Sequence, residues 1–331
     1  MTTAVTAPAA GALEPRQRKG VATRLRGAAA ALRRSPRMLV GLVILLFFVV
    51  LAVFSPLFIH NPNALGTEVL GRPSAKYWLG TTQEGQNVLY QVIAATGPTL
   101  EVGFVAGGIS TVLSLLIGVG GAFIGGISDE ALNLFTNIIL VIPVMPLVIV
   151  ISAYVQAKSL LPTIIIIAFT GWAGTARVLR ALALSMRSRD YILAARVSGE
   201  RAWRVVIVEL LPNMTAFIVS GFIFTVIFAI LTQAGLAFLG LGNTNLLSWG
   251  NMLYWAQADQ ALTSGAWWWF APPGLCIALL GTGLSLVNFG LDEVLNPRLR
   301  SVRSVRRPSK DALQARGALP AREAPQPAGA P

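Results

Sequence analysis

Binding a nucleotide, cleaving a bond or holding a metal each demands particular side chains at particular spacings, and this chain of 331 residues offers few of them. Its lysines, Lys19, Lys76, Lys158 and Lys310, all lack a preceding glycine. No Gly-Lys-Ser/Thr loop is therefore present to cradle phosphates, and any nucleotide must bind another chain. The one histidine, His60, follows an apolar stretch, and no Ser-His or paired-aspartate arrangement lies within the apolar stretches, which leaves an intramembrane enzyme without its working groups. The one cysteine, Cys276, sits in an apolar run; it makes no internal disulfide or cysteine metal site and reads as a small core residue. The net charge is +12, yet the basic residues gather at the two ends and in one loop, with no nucleic-acid motif beside them. Lys and Arg clustered beside apolar spans match cytoplasmic flanks that meet anionic headgroups. Membrane lipid, and no nucleic acid, is the expected partner of this charge.

The most patterned loop is 177–212. Leu179, Leu182, Ala183 and Met186, then Ile192, Ala195 and Val197, recur at helical spacing, with Arg177, Arg180, Arg187 and Arg189 on other faces. The spacing predicts two amphipathic helices joined near Ser188-Arg189-Asp190, with Asp190 capping the second. Gly199 is its left-handed terminator, and Pro212 marks the start of the next membrane span. Read this way, the segment is a rigid knob. Its small residues Ala194, Ala195 and Gly199 let a partner's groove approach the backbone, and the arginines are free to pair with acids there. An ordinary loop whose arginines only set topology stays open on these residues alone.

What must hold such a loop is a membrane bundle. The chain is 54% hydrophobic and only 12% charged, about half the charged fraction of a soluble domain. Uncharged windows run over 39–59, 102–127, 131–157, 159–176, about 214–241 and 267–291, lengths suited to spanning helices. A charge at a helix centre costs about 2.5–3.5 kcal/mol, so six clean windows predict an all-α membrane protein with six transmembrane helices. The first span is retained, because Phe54-Ser55-Pro56-Leu57 offers no small-residue cleavage site and the apolar core is too long for a signal peptide. With the amino terminus inside, only Arg72, Lys76 and Lys158 of the 26 lysines and arginines fall in outside loops. That bias predicts a multi-pass plasma (inner) membrane protein with both termini cytoplasmic. The expected organisation is a basic, mostly disordered tail over 1–35, a first span with its external loop over 36–98, a core of five spans over 99–300 containing the loop 177–212, and a second disordered tail over 301–331.

Within the spans, Pro143 and Pro146 predict a kink, and the glycines of the second window, Gly103 and Gly107 among them, predict close helix packing. Glu101 stands at the outer edge of that window, where its carboxylate can snorkel to water. Trp249, Trp255, Trp267, Trp268 and Trp269 read as anchors at the outer interface first and as contacts for an external protein second.

Ala194-Ala195, Gly199 and Leu211-Pro212 stand at the spacing of the signature loop of binding-protein-dependent ABC importer permeases. That signature runs Glu-Ala-Ala, three residues, Gly, nine residues, Ile, one residue, Leu-Pro; here Leu193 replaces the acid and Glu209 the isoleucine. From about 36 to 300 the chain resembles the C-type permeases of dipeptide and oligopeptide importers. The resemblance rests on Trp78-Leu79-Gly80-Thr81-Thr82, on Gly85-Gln86-Asn87-Val88-Leu89 where the family has Gly-Arg-Asp, on Pro143, on Trp172 with Ala176-Arg177, and on Asp190-Tyr191. It continues through Leu239-Gly240-Leu241-Gly242, Ser248-Trp249-Gly250-Asn251-Met252-Leu253 and Asn296-Pro297-Arg298-Leu299-Arg300.

The resemblance implies the type I ABC importer permease fold with a cytoplasmic coupling helix. It also implies a second homologous permease, two cytosolic ATPase subunits that bind ATP and Mg, and an extracytoplasmic substrate-binding protein, with no cofactor in this chain. It gives ATPase coupling to Asp190, Tyr191, Ala194, Ala195, Gly199, Arg201, Leu211 and Pro212. From the residues themselves, Glu101 at the edge of its window and Pro143 and Pro146, whose backbone carbonyls a kink can free, are candidates for the substrate path. Di- or oligopeptides are the implied cargo, with oligosaccharides or nickel as alternatives. A secondary transporter would need no ATPase, but the six windows hold no buried ionisable residue for a proton relay.

Overall fold

The computed structural model describes residues 35–155 and 159–295. The expected disordered tails, Lys158 and the run 296–300 lie outside the described residues. Helix α1 is Pro36–Phe58, and α2 is Val88–Ile124 with a π-helical turn at Leu115–Gly120. Two bent pairs follow: α3 (Gly126–Val141) with α4 (Val144–Val155), and α5 (Leu160–Gly171) with α6 (Ala173–Arg187). The short α7 is Asp190–Val197. A second π-helical turn, Val205–Leu210, lies in α8 (Ala202–Phe238), and α9 (Trp249–Ala258) and α10 (Trp267–Leu295) complete the order. Four helices, α1, α2, α8 and α10, are long and apolar enough to cross a membrane, and the crossings reach six if each bent pair is one span. Among the described residues the only β pairing is an isolated bridge between Thr81 and Asn87.

The helix ends follow local chemistry. Asn87 has an extended backbone, and its side-chain oxygen accepts from the Leu89 and Tyr90 amides at 3.0 and 3.4 Å, so α2 starts there as a capped helix. The same stretch is pinned by Thr81, whose hydroxyl donates to the Glu68 carbonyl at 2.6 Å and accepts from the Gly71 amide at 2.7 Å. Between α3 and α4 the expected kink is an 84° turn. Ile142 is extended (φ −74°, ψ 123°), as the residue before Pro143 must be to avoid the pyrrolidine ring. Pro146 falls in the first turn of α4, where its missing N–H costs no helical bond.

Helices α2 and α8 meet through small residues. A Cβ on Gly107 would sit 2.7 Å from Val226 Cγ2 and 3.0 Å from its backbone nitrogen, so the two backbones touch, as in small-residue membrane packing. Across this contact the Thr111 and Thr225 hydroxyls lie 3.2 Å apart, and Thr225 also donates to the Gly107 carbonyl at 3.2 Å. Gly107→Leu is expected to lower the unfolding temperature of the detergent-solubilised protein, overpacking here costing about 1–3 kcal/mol or more. Gly108→Leu is the matched control, because nothing approaches a Cβ at Gly108 within 4 Å.

The tryptophans correct the sequence reading. Trp249, Trp268 and Trp269 are buried in one apolar cluster with Phe48, Val88 and Leu280, and of the five expected anchors Trp255 and Trp267 alone keep substantial exposure. The Trp249 indole N–H donates to the Val92 carbonyl at 2.9 Å and its ring meets Phe48 edge-on, while Trp268 donates to the Thr81 carbonyl at 3.3 Å. A large apolar ring with its one polar atom paired belongs in a core, so these residues pin α9 and α10 to α2 and the 60–87 loop and do not serve as interfacial anchors.

Candidate functional site

The patterned loop folds at the end of the bundle opposite the 60–87 loop. Helix α5 turns by 41° into α6, so the first amphipathic helix of the sequence reading is the continuation of a long apolar element. After Ser188 and Arg189 the chain enters α7, where Arg189 holds the N-cap position without a side-chain bond and Asp190 is the first helical residue. The expected cap at Asp190 is thus shifted by one residue. A carboxylate in the first turn still favours the helix through its dipole.

The end of α7 is the left-handed stop the glycine predicts. Gly199 has φ +76°; its N–H donates to the Arg196 carbonyl at 3.1 Å, and the Glu200 N–H donates to the Ala195 carbonyl at 3.2 Å. This pair of bonds is a Schellman closure, open to glycine at almost no cost. Ile192 is 0% exposed and belongs to a cluster with Phe123 of α2, Leu179 of α6, and Leu210 and Met214 of α8. Val197, by contrast, is 89% exposed, and Asp190, Tyr191, Leu193, Ala194, Gly199 and Arg201 are exposed beside it, with Ala195 half-buried. The knob therefore has a seated underside and an open outer face.

Polar contacts tie it further. Arg196 lies 4.4 Å from the centre of the Phe123 ring, a cation–π contact, and Arg187 donates to the Ala122 carbonyl at 3.0 Å. About two turns back along α6, Arg180 grips Asp129 with two bonds of 2.8 Å each, the planar fork on a carboxylate. Ile192, Arg180, Arg187 and Arg196 carry weight that sequence reasoning did not assign. The signal for Arg180 was the acid pair Asp129-Glu130 in a short loop without a base, facing a surplus of arginines.

Other expected residues sit elsewhere. Pro212 does not begin a span: α8 runs unbroken from Ala202, and the π-helical turn just before Pro212 absorbs the bond its ring forbids. Leu211 is half-buried at the foot of the knob, away from its open face. Glu101 is not at the edge of a span either. Helix α2 starts at Val88, so Glu101 lies roughly 20 Å along it at about 1.5 Å per residue. It is exposed on a stripe with Tyr90, Val105 and Val112 and has no bonding partner among the described residues. Pro143 and Pro146 are exposed at the α3–α4 turn, apart from α7.

The family described as the inner membrane component of binding-protein-dependent transport systems matches residues 110–301. The N-terminal transmembrane domain of oligopeptide transport permease C matches residues 23–71. The oligopeptide transport system permease protein OppC of Bacillus subtilis is 30% identical over 273 residues, 81% of this chain and 88% of that protein. The dipeptide transport system permease protein DppC of the same organism is 29% identical over 274 residues, covering 81% and 84%. The OppC protein of Mycobacterium tuberculosis is 28% identical over 263 residues, covering 78% and 89%.

Proposed function

Because the chain belongs to the inner membrane component family of binding-protein-dependent transport systems, we propose that it is one permease half of an ATP-driven importer of di- or oligopeptides. It spans the plasma membrane six times with both termini in the cytoplasm, beside a second homologous permease. Two cytosolic ATPase subunits hold the ATP and Mg, and an external binding protein delivers the cargo. The names of the similar proteins support the peptide cargo.

The observation that carries this reading is the construction of α7. An eight-residue helix closed at Gly199 and seated through Ile192 moves as one body, and its open face at Tyr191, Leu193, Ala194 and Val197 is shaped to enter a partner's cleft. Closure of the ATPase pair on ATP pushes this helix. Through the cluster around Ile192 the push reaches α2, α6 and α8 together, rocking them so that the path opens to one side and then the other. The π-helical turn at Val205–Leu210 lies where α8 meets the knob, and the one at Leu115–Gly120 packs on α6; such turns are places where a helix can shift register.

Proteoliposomes holding the assembled complex test this reading. Labelled peptide should accumulate only with ATP inside and loaded binding protein outside. Accumulation without either would overturn the reading, and accumulation of an oligosaccharide or nickel in place of peptide would change the cargo alone.

Glu101 belongs to the same proposal. A carboxylate facing lipid at this depth costs about 2.5–3.5 kcal/mol, so its stripe of α2 faces the partner permease or the water-filled path. Glu101→Leu is expected to leave assembly intact and to lower uptake about tenfold, the equivalent of about 1.4 kcal/mol of barrier. Wild-type uptake by that variant would remove Glu101 from the path.

A further inference from the structure

At the end of the bundle away from α7, a cleft of about 350 Å³ opens between the 60–87 loop, the turn at 244–247 and α9. Its size lies within the range of small-ligand sites, and its walls are braced. Asn251 donates its side-chain amide to the Asn243 carbonyl at 3.0 Å and to the Leu246 carbonyl, and the Trp255 indole donates to the Thr244 carbonyl at 3.2 Å. Two carboxylates, Glu84 and Asp259, line it, and no Lys, Arg or His does. Neither acid is among the ion pairs of the described residues. Glu84 accepts only the Gln86 amide, at 2.7 Å, and burial pushes the Asp259 carboxyl above its ordinary range. Trp255 and Trp269 add aromatic rings to the lining, surfaces that attract cations.

A second, smaller cavity of about 20 Å³ adjoins this one, sharing Leu246 and Asn251. Gln233 of α8 lines it, only 4% exposed, with its amide nitrogen spent on the Ser248 hydroxyl at 3.0 Å. Its side-chain oxygen has no hydrogen-bond donor. A buried acceptor left open is costly, about 1–3 kcal/mol, and its place beside a cleft marks a group waiting for a donor. The cleft thus offers negative charge and aromatic surface with no cationic side chain, and the small cavity beside it holds an unfilled acceptor. Among the described residues no third metal-ligating side chain joins the two acids.

We propose that this cleft receives the amino terminus of an incoming peptide, its primary ammonium held between Asp259 and Glu84. An ammonium brings three N–H donors and the positive charge that no side chain of the lining supplies. This inference rests on the peptide-importer reading: the cleft catches the peptide as the binding protein releases it, before it enters the path.

The experiment uses the whole complex in proteoliposomes, with trialanine as cargo and two readouts, peptide uptake and the ATP hydrolysis that loaded binding protein stimulates. For Glu84→Gln with Asp259→Asn, uptake is expected to fall by about tenfold or more, both charged contacts to the ammonium being weakened, with stimulated hydrolysis unchanged. Asp259→Glu in an otherwise wild-type chain keeps the charge and should retain most of the uptake. Full uptake by the double variant overturns the cleft while leaving the importer reading in place. Loss of stimulation together with uptake also overturns it, since the acids would then serve to dock the binding protein. Failure of the wild-type complex to take up trialanine defeats the peptide reading itself.

Discussion

Val197→Glu should reduce peptide uptake on the order of 100-fold while the unfolding temperature of the protein moves by no more than about 2 °C. Val197 ends α7 and is 89% exposed, so the chain itself loses almost nothing when the side chain changes. If α7 docks into an ATPase cleft as proposed, a carboxylate without a partner at this position costs about 3 kcal/mol or more, enough for that fold-change. Basal ATP hydrolysis should persist and stop responding to loaded binding protein. Gly199→Val separates docking from backbone strain. With φ at +76° and nothing within 4 Å of a Cβ, it meets no steric block, but an L side chain there costs about 1–2 kcal/mol, visible as a lower unfolding temperature. Wild-type uptake by Val197→Glu would mean that the open face of α7 carries no force.

Much of this architecture was legible in the residues, and the failures have physical causes. Charge-free windows located the membrane helices because hydrocarbon excludes charge, yet a window stops at the first charge while a helix stops at a cap. Hence α2 begins at Val88, behind its Asn87 cap, and passes through Glu101, and α6 carries Arg177, Arg180 and Arg187 beyond the fourth window. The knob was readable from periodicity and from Gly199. Its orientation was not: Ile192 and Val197 look alike as residues, and only packing makes one 0% and the other 89% exposed. The tryptophans misled for the same reason, since an indole fits an interface or a core depending on whether a carbonyl such as that of Val92 waits for its N–H. The run from Trp78 to Leu89 carried the family resemblance, but its work in capping α2 and fastening the 60–87 loop appears only in three dimensions.

The contact between Asp129 and Arg180 is the strongest polar link between the hairpin after α2 and the helix that bears the knob. Its two bonds measure 2.8 Å, and the side chains are only 12% and 25% exposed for Asp129 and Arg180, enclosed enough for a lost partner to register. Asp129→Ala is expected to cost about 1–3 kcal/mol, because it leaves a partly enclosed guanidinium without its acceptor. Arg180→Lys should cost less but still register, since an ammonium cannot grip both carboxylate oxygens as the fork does. The double variant Asp129→Leu with Arg180→Leu removes both charges and should regain most of the stability, measured as thermal unfolding of the purified complex. Its uptake decides what the pair is for. If the link transmits the motion of α6 to α3, the double variant folds like the wild type yet imports poorly, because α3 no longer follows the knob. If the pair only steadies the fold, uptake returns with stability. Additive losses in the two single and the double variants would show instead that water already screens the pair, and the route from α7 would then run through Ile192 and the apolar cluster alone.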